Sequence, residues 1–107
     1  MTKKTYNKLV RDNIPDIIEK SGREVDFITI TDLNEKLTLL NNKLVEEVQE
    51  YNTTKNTEEL VDILEVVYTI LSLKDISFDT FEKLRTDKKL EKGGFDKGYF
   101  LVSVKGE

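Results

Sequence analysis

Two runs with an apolar residue at every third or fourth position, separated by a short polar break, limit this chain more than any other feature. In the first, Leu33, Leu37, Leu40, Leu44, Val48 and Tyr51 fall on one stripe of a helix running to about Asn52. Asp32 followed by Glu35 reads as a capping box at its start. "NTTKNT", residues 52–57, breaks the pattern, and Thr57 can cap the second run, which continues to about Leu73. There "LVDILEVVYTILSL" is apolar on nearly every side, so it is expected to form the buried centre. A break of about six residues implies that the two helices lie antiparallel.

The remaining segments are shorter. Pro15 suits the first turn of a helix over 15–21, and Gly22 can stop it in the left-handed region. "KDIS" leads to a helix over roughly 78–91, capped by Ser77 or Asp79 and ended by Gly93 and Gly94. "EVDFITIT" (24–31) and "GYFLVSV" (98–104) are rich in β-branched and aromatic residues and read as strands. A lone strand is unstable, so the expectation pairs 25–30 with 98–104. The fold class is all-α: an antiparallel helical core with a small two-stranded accessory sheet. With 107 residues and no linker or repeat, 1–107 reads as one domain.

Composition removes several function classes. The chain has no cysteine, which excludes thiolate nucleophiles, disulfides and zinc ribbons. It has no histidine, the commonest general base and transition-metal ligand. Any catalysis must then rest on carboxylates, lysines, arginines, tyrosines and a hard cation. The net charge of −4 argues against general nucleic-acid binding. No apolar run is long enough for a membrane span, and "MTKKTYNKLVRDN" lacks the apolar core of a signal peptide. The expected location is cytoplasmic.

Carboxylates are concentrated where the two long helices should meet. Glu47 and Glu50 are three apart at the end of the first, and Glu59 and Asp62 are three apart at the start of the second. An antiparallel pair brings these four together, with Glu46 and Glu58 turned more towards water. Asp62 interrupts the apolar run and needs a partner if buried. Taken singly, each acid could be an ordinary solvated helix charge. Taken together they would repel one another and lose hydration unless something positive compensates. Oxygen ligands without histidine or cysteine select a hard cation, Mg²⁺ or Mn²⁺, and Mg²⁺ bound in this way takes phosphate oxygens as further ligands. Glu65 has no place in this arrangement.

"KLVEEVQE" followed by "EELVD" resembles the acidic pattern of the all-α nucleoside triphosphate pyrophosphohydrolases, the MazG-like superfamily, which includes phosphoribosyl-ATP pyrophosphohydrolases. Together with "YNKLVRDNIPDIIEKSG", "ELVDILEVVY" and "KGGFDKGYFL", the chain resembles a small single-domain subgroup along nearly its whole length. The resemblance implies Glu47, Glu50, Glu59 and Asp62 as Mg²⁺ ligands and Glu46 as the fifth acid of the motif. Glu46, Glu47 and Glu50 are the expected catalytic acids, and one not fully engaged by metal, Glu46 or Glu50, could accept a proton from water. Lys43 matches a lysine that meets a phosphate. Lys92 stands where the subgroup has arginine, which keeps the charge but loses the bidentate fork.

Two basic ends flank the acids in sequence: Lys8 and Arg11 before the first helix, Lys88 and Lys92 beside the glycine pair. One reading has them, with Lys43, bind the substrate's phosphates. The other leaves Arg11 paired with Asp12 and the lysines solvated. The expected activity is Mg²⁺-dependent cleavage of a nucleotide α–β phosphoanhydride to a monophosphate and pyrophosphate, and the resemblance suggests removal of non-standard nucleotides. The rivals are a phosphoribosyl-ATP pyrophosphohydrolase and a non-catalytic helical module that binds nucleotide or dimerises. A helix apolar all round, in a domain this small, also implies a homodimer or higher homo-oligomer.

Overall fold

The structure is a computed structural model that describes residues 2–106. It contains four helices: α1 (Ile14–Lys20), α2 (Leu33–Thr54), α3 (Thr57–Leu73) and α4 (Phe78–Lys92). The chain divides into two compact units, one ending at Asp75 and the other starting at Ile76. Each is described by itself.

In the first unit, local chemistry sets the helix ends. Pro15 sits in the opening turn of α1, where its missing N–H costs nothing, and Gly22 follows the helix at φ 87. Asp32 caps α2, its Oδ2 accepting from the Glu35 amide at 2.9 Å, as the sequence suggested. α2 runs two residues beyond the expected end. The link to α3 is therefore only Lys55 and Asn56. Lys55 makes the turn in the left-handed region, at φ 59, and its N–H donates to the Tyr51 carbonyl at 2.8 Å. Thr57 is the first residue of α3; Asn56 occupies the cap position, and its side chain makes no capping hydrogen bond.

Within this unit α2 and α3 are the helices that pack together. Leu40 of α2 and Val66 and Leu71 of α3 are the buried apolar residues. Leu37, Leu44 and Tyr51 of the expected α2 stripe are partly covered, whereas Leu33 and Val48 are exposed. α3 is not enclosed. Leu60, Val61, Leu64 and Tyr68, at spacings of one, three and four, leave an apolar stripe in water.

In the second unit, Ser77 caps α4, its Oγ accepting from the Thr80 amide at 3.1 Å. Gly93, at φ 86, ends the helix.

The accessory sheet is not formed: there is no strand among the described residues, and neither 25–30 nor 98–104 makes ladder hydrogen bonds. The physical reason is want of cover. A two-stranded pair holds in water only against a further strand or a packed face. Most of the side chains that would have filled such a face stay in solvent, with Ile28 81% and Phe100 89% exposed, while Val25 and Ile30 are partly covered. β-branched and aromatic composition fits extended backbone, but pairing depends on something to pack against. The fold is all-helical.

Candidate metal centre

The two-residue turn between α2 and α3 brings the end of one helix beside the start of the other. Two sets of carboxylates lie there, one within α2 and one across both helices, each offering one oxygen per residue within 4.8 Å of the others. One is Glu46, Glu47 and Glu50; the other is Glu47, Glu59 and Asp62. Glu47 belongs to both. Mg²⁺–oxygen bonds near 2.1 Å place opposed ligands about 4.2 Å apart, so small side-chain rotations would close either set on an ion. The cluster can hold a metal ion.

Acidic clusters are common on surfaces, so the decisive residue is the buried one. Glu47 is 5% exposed. Its Oε1 lies 3.4 Å from Lys43 Nζ, and its Oε2 is buried with no hydrogen-bond partner. An ionised oxygen left without partner or water is costly in a folded protein. Asp62, which the apolar run had suggested was the buried acid, is 38% exposed at its side chain.

Cations from the N-terminal segment and α2 meet part of this charge. Lys8 and Lys43 both donate to Oε1 of Glu46, at 3.2 and 3.3 Å. Glu46 is therefore half-buried and held, not turned freely to water. Arg11 Nη2 donates to Asp62 Oδ1 at 2.7 Å, and Arg11 Nη1 lies 4.0 Å from Glu65 Oε1. Among the described residues neither Glu50 nor Glu59 has an ion pair. Lys8, Arg11 and Lys43 are the cations that pair with these five acids, and Arg11 is shared with Glu65, so negative charge is in excess.

The proton affinities follow that imbalance. Loss of water pushes Glu47 above the usual carboxylate range, with the Glu50 charge adding to it and Lys43 opposing. Glu59 is also raised, by lost hydration and then by Glu50, which can accept its proton in a hydrogen bond. Partial burial works against the charge on Glu46 as well, but the hydrogen bond from Lys8 and the nearby Lys43 outweigh it and hold its carboxyl low.

Of the sequence-derived residues, the first unit gathers Lys8, Arg11, Lys43, Glu46, Glu47, Glu50, Glu59 and Asp62. Arg11 pairs with Asp62 and Glu65 across the fold, not with Asp12 as the alternative had it. Lys88 and Lys92 belong to α4 in the second unit, where both are exposed and Lys92 lies 3.7 Å from Glu91. Two asparagines escaped the sequence reading. Asn7, at φ 47, and Asn42 line a cleft of about 130 Å³ with Lys8, Leu9, Leu39, Lys43 and Glu46. Their only sequence signal was proximity to Lys8 and Lys43. Among the described residues no helix is long and apolar enough to cross a membrane. Compared with protein-family models, curated proteins and solved structures, the chain finds no match.

Proposed function

We propose that this chain is a Mg²⁺-dependent nucleoside triphosphate pyrophosphohydrolase that yields a nucleoside monophosphate and pyrophosphate. The observation that carries the reading is Glu47 Oε2, a buried carboxylate oxygen without a partner, among acids that outnumber the cations paired with them. The resemblance of the acidic pattern to MazG-like enzymes supplies the reaction. In this reading Glu47, Glu50, Glu59 and Asp62 hold Mg²⁺, with Mn²⁺ able to replace it. The ion supplies Lewis acidity and charge neutralisation at the phosphates.

The chain's own residues divide the remaining work. Glu46 is a poor proton acceptor, because Lys8 and Lys43 stabilise its charged form. Glu50, exposed and without an ion pair among the described residues, would meet an attacking water through the oxygen that the ion does not take. Lys43 and Lys8 are partly spent on Glu46, but each ammonium has three protons and can also donate to a phosphate. The exposed stripe of α3 supports a homodimer: its apolar residues are roughly half exposed, and a twofold axis would set identical stripes against each other.

The test is pyrophosphate release from a panel of nucleoside triphosphates and phosphoribosyl-ATP with Mg²⁺. Wild type is compared with Asp62→Asn and Glu50→Gln. Release from at least one triphosphate, lost in both variants, supports the proposal. Turnover of phosphoribosyl-ATP alone moves the assignment to that enzyme. No turnover of any substrate leaves a non-catalytic module.

A further inference from the structure

Glu65 is unused by the metal centre, yet it shares a cation with it. Asp62 and Glu65 are three residues apart on α3, on one face of the helix. The Arg11 guanidinium lies across both, bonded to Asp62 at 2.7 Å and 4.0 Å from Glu65. Asp62 belongs to a potential metal-ligand set, and Glu65 belongs to none. Arg11 thus occupies an acid that a metal needs, while its other nitrogen already faces one that a metal does not need. A guanidinium has donors on both terminal nitrogens, so it can move from one acceptor to the other by a small rotation. Arg11 is also anchored: its carbonyl accepts from the Ile14 amide at 3.0 Å in the turn that opens α1.

We propose that Arg11 and Glu65 form a handover pair. In the metal-free protein the guanidinium holds Asp62; when a divalent cation takes Asp62, Arg11 passes to Glu65. Glu65 is then a positioning residue. It gives the displaced charge an acceptor next to the site, and it keeps the N-terminal segment on α3. The inference rests on the metal centre proposed above. All three side chains are at least a third exposed, so the exchange needs no opening of the core.

A double-mutant cycle on Mn²⁺ affinity tests it, by calorimetry at about 0.15 M salt, where long-range charge effects are largely screened. The proteins are wild type, Glu65→Gln, Arg11→Ala and the double variant. Glu65→Gln is expected to weaken Mn²⁺ binding about threefold in the wild-type background, the scale of an exposed ion pair. In the Arg11→Ala background it should change nothing, and Arg11→Ala alone should tighten binding. On adding Mg²⁺, the Arg11 Nε–H resonance should shift in wild type and not settle at the same position in Glu65→Gln. An equal loss in both backgrounds would show that Glu65 acts by its own charge or as a ligand, and would overturn the handover. Failure of wild type to bind Mn²⁺ at all would instead remove the metal centre on which it stands.

Discussion

At Glu47, the side chain that best suits a ligand is also the one that costs the folded chain stability. Its Oε2 is buried without a partner, and its pKa is raised first by burial and then by Glu50. A carboxyl whose folded pKa is raised contributes stability below its unfolded pKa, near 4.3, and loses that contribution as pH rises through the folded value. Glu59 behaves in the same way, and Glu46, with its lowered pKa, in the opposite way. Lowering the pH from neutral into the range just above ordinary glutamates should therefore raise the melting temperature of the metal-free protein, until loss of the Glu46 pairs reverses the gain. Mg²⁺ binds the deprotonated acids, so its stabilising effect should grow with pH. Thermal melts across pH, with Mg²⁺ and with chelator, check both trends; a metal-free protein most stable at neutral pH would contradict them. Glu47→Gln should stabilise the metal-free protein by about 1 kcal/mol, because an amide is cheaper to bury than a carboxylate with one oxygen left without a partner. It should also abolish Mn²⁺ binding. Urea unfolding and a Mn²⁺ titration of one preparation read the two effects together.

Among the elements, capping chemistry separates two helix starts that look alike in sequence. Asp32 bonds the Glu35 amide, whereas the Asn56 side chain bonds nothing at its own cap. Asp32→Ala should cost about 1 kcal/mol, and Asn56→Ala should cost clearly less. Lys55 takes a left-handed conformation that L side chains resist, and Lys55→Gly should gain up to about 1 kcal/mol. Urea midpoints of the three variants order them; equal losses for the two cap variants would contradict this account. The same elements mark where the sequence was readable. α2, α3 and α4 were legible because apolar spacing and caps are local signals, and the ends moved by only a few residues. The segments 25–30 and 98–104 were not, because pairing depends on cover that a local pattern does not report. The acids at 47, 50, 59 and 62 could be placed from helix geometry and a short turn. Which of them was buried, and which cation reached each, could not, because Arg11 is fifty-one residues from Asp62.

For the whole molecule, the small buried core of the first unit and the exposed stripe of α3 argue for more burial than one chain supplies. The homodimer we propose predicts a solution mass twice the 12.4 kDa of the chain. Val61→Asp would place a charge on the stripe and should shift the protein towards monomer in sedimentation velocity. A monomeric wild type at micromolar concentration would contradict the dimer while leaving the metal centre standing. The central claim is the reaction, and ³¹P NMR of a hydrolysable triphosphate tests it most directly. With Mg²⁺ the account predicts equal growth of pyrophosphate and monophosphate signals, stopped by chelator and absent with Asp62→Asn. A nucleoside diphosphate and orthophosphate as the products, or a rate unchanged by chelator, would contradict it.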